Sequence, residues 1–336
     1  MGGEGAVTPF CLQGSKESVI YRAKDMMKGG IGDWLNCPIV SHLGTDRRRD
    51  LANKMICHVR DLSLALAGEW GVYEQYWGLT SPPFQNVPDP NFFFLSARHR
   101  EGLARLLYAV KHNKGAALLV GDVGCGKTTL SRALIIQLAE EKYDVGLITN
   151  PALPGNDFLE EIDLQLGIRP ANNSKVAILR ALNDRLLANV REGKDTVLIV
   201  DEAHCIRDPD VFEELRMLLN FQLNDRFLLT LILMAQPEIT EIIGRIKQLE
   251  QRIAIRYHLT PLEQAEIGPY IVFRLQKAGA KRPLFSEEAL QLVWQATRGV
   301  PRSINTLCDL CLLEGYASRV HTVDHALVKR VAPSMS

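Results

Sequence analysis

The sequence is poor in several features, and each shortage removes a class of function. No hydrophobic run approaches the ~20 residues that a membrane-spanning helix needs; the longest covers only residues 227–235. No basic n-region followed by an apolar h-region opens the chain, so nothing reads as a secretory leader. Cysteine is sparse: the seven, at positions 11, 37, 57, 125, 205, 308 and 311, are scattered and odd in number, unlike a disulfide framework. Net charge is absent as well. The 39 basic and 39 acidic residues cancel, so no global charge argues for nucleic acid or an acidic membrane, although a local basic groove stays open. What remains, 46% hydrophobic and 23% charged residues, is the composition of a soluble globular protein, expected in the cytoplasm. At 336 residues the chain suits one large α/β domain with one or two small ones.

Against that background one motif is complete. Residues 121–128 read GDVGCGKT, a G-x-x-x-x-G-K-[ST] phosphate-binding loop. The apolar run Ala116–Val120 before it predicts a buried strand, and residues 130–141 after it predict a helix. Strand, glycine turn and helix N-terminus aim several backbone N–H groups and the positive end of a helix dipole at one anion. Gly121, Gly124 and Gly126 permit the close approach, with Asp122, Val123 and Cys125 at the variable positions between them. Lys127 can reach the β- and γ-phosphates, the Thr128 hydroxyl can ligate Mg²⁺, and Thr129 continues the helix start. These residues predict a nucleoside-triphosphate site. Helix-terminus N–H groups can lower a thiol pKa, so Cys125 is either a redox-sensitive position or a small residue tolerated in the loop, the second being favoured. Cys308 and Cys311 form C-x-x-C within an apolar helical run, which favours buried packing over metal binding.

Residues 196–204, TVLIVDEAH, predict a second buried strand ending in acids, at the ligand crevice of a parallel sheet. Asp201 is then placed to hold Mg²⁺, and Glu202 to polarise an attacking water, which points to hydrolysis rather than to a nucleotide kinase or GTPase. Further strands are expected over 144–150, 227–236 and 253–260, with helices over 157–166, 175–191 and 211–223. This alternation predicts a doubly wound α/β sheet with crossover helices. Asn150 and Gln236, polar residues at strand ends, can sense a γ-phosphate. After Pro261 only helices are expected: 263–278, 286–297, 301–316 and 323–331. Ser286 followed by Glu287-Glu288 suits a helix start. Pro301 fixes a helix entry, and Arg302 beside it suits phosphate sensing across a cleft.

Together the phosphate loop, the DEAH-ending strand, the Gln-ended strand, Arg252 and the helical bundle with GVPR resemble the AAA+ ATPases. Residues 76–79 (YWGL), 82–84 (PPF), 88–90 (PDP), 93–95 (FFL) and 99–103 (HREGL) look like the opening of the ExeA/GspA-type secretion ATPases. Residues 235–238 (AQPE), 251–259 (QRIAIRYHL) and 299–309 (GVPRSINTLCD) continue the match, which spans about Tyr73 to Val331. The resemblance implies a P-loop NTPase domain, 72–261, as a three-layer αβα sandwich, followed by a helical lid, 262–336. It implies Arg252 as an arginine finger acting on a neighbouring subunit, Arg302 and Gln236 as second and first sensors, and Asn150 as the switch residue restraining Glu202. Residues 93–98 would lie near the adenine, and ATP with Mg²⁺ would be the cofactors. The resemblance does not extend to the transmembrane helix and periplasmic peptidoglycan-binding domain that continue members serving type II secretion. It implies a motor that forms a ring or filament homo-oligomer and engages an envelope-assembly partner, cytoplasmic or held at the inner membrane through that partner. A related alternative is a transposition regulator that binds DNA in an ATP-dependent manner. A switch that binds ATP and barely hydrolyses it has little use for Glu202.

Residues 1–71 read differently, with Gly-Gly pairs, an isolated DRRRD run at 46–50 and little periodicity. Weak order is expected there, apart from a short helix near 47–66. Gly68-Glu69 is encoded GGN-GAR, which can spell a ribosome-binding site, and Val72 can be a GUG start. The expectation is therefore a physiological N-terminus at Val72.

Overall fold

The computed structural model describes residues 73–335, so the helix expected near 47–66 and the start expected at Val72 lie outside the described residues. A short helix α1 (Glu74–Trp77) is followed by a 3-10 turn at Pro90–Phe92 and by α2 (Ala97–Lys111). The order then runs β1 (Ala116–Gly121), α3 (Lys127–Gln137), β2 (Tyr143–Ile148), α4 (Gly155–Gln165), α5 (Lys175–Arg191) and β3 (Asp195–Val200). It continues with α6 (Pro209–Leu218), β4 (Leu229–Ala235), α7 (Ile239–Arg245), α8 (Lys247–Glu250) and β5 (Ile253–Leu259). The chain ends in α9 (Gln264–Lys277), α10 (Glu287–Thr297), α11 (Pro301–Ala317) and α12 (His325–Val331).

All strand pairs are parallel, in the order β2-β3-β4-β1-β5. Parallel sheets are covered on both faces, so their strands read as near-continuous apolar runs. Every residue of β4 is buried. Successive side chains point to opposite faces, and the core divides accordingly. Ala116 and Leu118 join one apolar cluster with Phe158, Ile162, Leu182, Leu186, Phe212 and Leu215 of α4, α5 and α6. Ala117 and Leu119 join another with Leu103 and Leu106 of α2 and Leu130 and Leu134 of α3. Each fully buried Leu or Phe contributes roughly 1.5–3 kcal/mol, so the two layers hold the sheet edges, and the loops at its C-terminal end, in fixed positions.

A third apolar cluster is built from α9–α12, and Tyr73, Trp77, Leu79 and Phe84 join it. Trp77 Nε1 donates to the Leu312 carbonyl (2.8 Å) and Tyr76 Oη to the Val320 carbonyl (2.7 Å). The opening stretch therefore packs on the helical bundle, not on the sheet. Ser286 caps α10 by accepting from the Ala289 N–H at 3.2 Å, as its sequence suggested. Cys308 and Cys311 are buried packing residues of α11.

Three expected elements end four or five residues early, the first being the helix expected over 130–141, which stops at Gln137 because Leu138 turns extended. The strand expected through His204 stops at Val200, because Glu202 takes a left-handed backbone conformation (φ +53°) and Ala203–Cys205 form a 3-10 turn. The helix expected to Leu223 stops at Leu218, and Gln222 then pairs antiparallel with Phe227.

Candidate functional site

The phosphate loop leaves β1 at Gly121 and enters α3 at Lys127, with Gly126 as the N-cap. Gly124 has φ +80°, and a Cβ there would stand 2.8 Å from Arg302 Cβ, so the residue must be glycine for the lid to approach. The Arg302 N–H donates to the Gly124 carbonyl at 3.3 Å. Lys127 is buried and its Nζ donates to the carbonyls of Gly121 (2.7 Å) and Asp122 (3.1 Å), folded across its own loop. Cys125 is fully buried, and burial pushes its thiol up to about 11. Burial, with the charge of Asp122 nearby, disfavours the thiolate, which supports the small-residue reading of Cys125.

Thr128 Oγ1 donates to Asp201 Oδ2 at 2.7 Å, and Asp201 Oδ1 accepts from the Glu202 N–H at 2.9 Å. Asp201 is buried at the C-terminal end of β3. A hydroxyl and a carboxylate oxygen side by side are the hard oxygen donors Mg²⁺ takes, so Thr128 and Asp201 fit that ion. Glu202 Oε2 lies 3.3 Å from His204 Nε2. Gln236, just past β4, is bonded to the same ring: its N–H donates to Nδ1 (3.3 Å) and its terminal amide lies 2.6 Å from Nε2.

These groups surround one cavity of about 450 Å³, a size that suits a nucleotide-scale ligand. Gly124, Gly126, Lys127, Thr128, Thr129 and Val123 line one side, with Glu202 and Gln236 at the strand ends and Pro301 and Arg302 at the start of α11. Arg252 does not line it; Arg252 Nη2 donates to Asn220 Oδ1 at 2.6 Å. Asn150 is exposed beyond β2 and is not a lining residue either. The carboxylate of Glu202 therefore meets His204 rather than Asn150.

The opposite end of the cavity was less legible. Of residues 93–98, Phe93 and Phe94 line it, whereas Arg98 turns out to Glu263 (3.2 Å). The wall also uses Asn86, Tyr270 and Arg274, which carry no sequence motif, and Asn305, whose place in the GVPRSINTLCD block gave it no role. Arg274 is buried and donates to the carbonyls of Pro83 (2.7 Å) and Gln85 (3.0 Å) and to Tyr270 Oη (3.1 Å). Tyr270 Oη donates to Asn305 Oδ1 (2.7 Å), and Asn305 Nδ2 to Asn86 Oδ1 (3.1 Å). His99 lies beneath the loop, 3.0 Å from the Cys125 carbonyl, and burial lowers its pKa so that the ring stays neutral. Its position in the HREGL block was the only signal available for it.

Residues 110–243 match the family model of the AAA domain. The stretch from the end of α2 into α7 is thus similar to an AAA domain. Over 268 residues the chain is 38% identical to general secretion pathway protein A of Aeromonas hydrophila, covering 79% of this chain and 49% of the relative. The chain therefore spans about half the length of that curated relative. Among solved structures it is similar to CDC6P of Pyrobaculum aerophilum (TM-score 0.57, 17% identity, 72% of this chain and 67% of that one). It is also similar to the Aeropyrum pernix ORC2 protein in its ADPNP-ADP complexes (TM-score 0.54, 18% identity, 75% of this chain and 69% of that one). At these identities the likeness is one of fold alone.

Proposed function

We propose that this chain hydrolyses ATP, with Mg²⁺, at an interface between subunits, and that the AAA domain uses the cycle to assemble or remodel an envelope secretion, pilus or export apparatus. The observation that carries the proposal is the Thr128–Asp201 bond at 2.7 Å, with Lys127, Glu202, Gln236 and Arg302 around the same cavity. Residues 72–261 are the nucleotide-binding domain and 262–336 the lid in this reading.

The chemistry is positioning plus electrostatics. Lys127 leaves its two loop carbonyls to meet the β- and γ-phosphates, and the loop N–H groups hold the remaining phosphate oxygens. Bound Mg²⁺ would neutralise phosphate charge from Thr128 and Asp201. Glu202 orients and deprotonates the water, Gln236 senses the γ-phosphate, and Arg302 reports its presence to the lid. Asn150 is kept as the switch residue, reaching Glu202 only on rearrangement. Arg252 does not line its own cavity, and in this reading it leaves Asn220 to serve a neighbour's, within a nucleotide-dependent ring or filament.

The process follows the relative, whose name assigns it to general secretion. No helix among the described residues is long and apolar enough to cross a membrane. In this reading, contact with the inner membrane runs through a partner. The test is capture with Glu202→Gln and ATP. Retention of a secretin, pilin-platform or export protein supports this role. Salt-sensitive retention of DNA in its place would assign the alternative, a target-selecting regulator of transposition.

A further inference from the structure

The two acids and Gln236 have roles in the proposed chemistry; His204, which touches both sides, has none. The ring is largely buried, with 16% of its side chain exposed. The Gln236 backbone N–H donates to Nδ1 at 3.3 Å. A nitrogen that accepts carries no proton, so in the neutral ring the proton sits on Nε2. Nε2 faces Glu202 Oε2 at 3.3 Å, a proper acceptor, and the arm of the Gln236 amide placed as Nε2 at 2.6 Å, an assignment that the hydrogen bonds reverse.

An amide NH₂ cannot accept from that N–H. The arm against the ring is therefore the amide oxygen, since the two arms are alike in shape and are assigned by their hydrogen bonds. This settles which way Gln236 presents itself to the cavity it lines. Its oxygen is held by His204, and its two N–H donors are left for an anion. The reverse orientation would aim an oxygen at phosphate and repel it.

The same arrangement bears on metal binding. Glu202, His204 and Cys205 bring ligand atoms within 4.8 Å of one another. A metal on Nε2 would shift the ring proton to Nδ1, against the Gln236 N–H donor, so the tautomer disfavours that use.

We infer that His204 is a positioning residue: through Nε2–H it orients the Gln236 amide with its donors toward the γ-phosphate site and holds the Glu202 carboxylate beside it. The inference rests on the proposed hydrolysis and adds the element that couples sensing to water activation. Glu202 supports such coupling, because its left-handed backbone (φ +53°) lies where non-glycine residues are held only by surrounding structure.

The test is steady-state hydrolysis with ATP affinity measured separately. His204→Ala is expected to lower kcat about tenfold or more while ATP affinity changes less than about threefold. His204→Gln, which keeps a donor near the Nε2 position, is expected to recover most of the rate. His204→Asn, which keeps only a group near Nδ1, is not. In a Gln236→Ala background, His204→Ala should remove less than about threefold more, because the two residues act as one unit. Unchanged kcat in His204→Ala, equal recovery by Asn and Gln, or full multiplication of the two losses would overturn the inference alone. A wild-type chain that binds ATP without turnover would overturn the hydrolytic function, and the inference with it.

Discussion

The Thr128 hydroxyl donates to Asp201 Oδ2 across 2.7 Å, joining the first turn of α3 to the end of β3. Each residue is placed by a separate buried strand and neither can drift far, since β1 and β3 both flank β4 in the sheet. Asp201→Asn should keep nucleotide binding and lose about 10²-fold or more of Mg²⁺-dependent turnover, a magnitude typical of removing charge stabilisation at a transferred phosphate. Hydrolysis rates at varied Mg²⁺ check this; an unchanged Mg²⁺ dependence would contradict it.

Arg252 supplies the second prediction. Its guanidinium is off its own cavity and bonded to Asn220. Arg252→Ala should bind ATP normally and lose about 10³-fold or more of turnover, as fingers acting in trans do. Mixing it with Lys127→Ala should restore part of the rate, because mixed interfaces pair an intact cavity with an intact finger. Failure of the mixture to recover any rate would place Arg252 in another role.

Gly299, between α10 and α11, packs on the stretch that leaves β5. It has φ +79°, and a Cβ there would collide with the Leu262 carbonyl oxygen, while its own carbonyl accepts from the Leu262 N–H at 2.9 Å. Gly299→Ala should destabilise the fold by more than about 2 kcal/mol, combining left-handed strain with a backbone clash. Urea denaturation measures it. A change within about 0.5 kcal/mol, the range of ordinary surface substitutions, would show the contact to be soft.

Much of this site was legible before any coordinates. GDVGCGKT, the acids of the DEAH run, Gln236 and Arg302 all line the cavity or hold the residues that do, because runs of buried strand residues place whatever follows them at one sheet edge. The shortfalls have physical causes. The left-handed turn at Glu202 is invisible to periodicity, so the strand was read two turns of pleat too far. Asn86, Tyr270, Arg274 and Asn305 meet only through tertiary packing of the opening stretch on the lid, and no local pattern encodes that. His204 sat inside a motif whose acids drew the attention, although its two ring nitrogens link the motif to Gln236.

Asp163 of α4 gives a prediction about stability. It is buried, both carboxylate oxygens lack a hydrogen-bond partner, and burial, aided by the charge of Glu160, pushes its carboxyl up to about 6. The unfolded chain releases this proton at its ordinary value of 3.8. Between those values the folded state holds the proton and the unfolded state does not, so this residue's contribution falls as pH rises from about 4 to about 6, then stays low. Asp163→Asn should flatten that slope and stabilise the protein at pH 7.5 by on the order of 1–3 kcal/mol. Melting curves across this pH range check it; a less stable Asn variant at pH 7.5 would mean the carboxylate has a partner in solution.

Hydrolysis per subunit, measured across a ~100-fold range of protein concentration at saturating ATP and Mg²⁺, bears most directly on catalysis between subunits. The expected result is a rate per subunit that rises with concentration in the wild type, with Glu202→Gln binding ATP and turning over at background throughout. A rate independent of concentration, or equal in the wild type and Glu202→Gln, would contradict it.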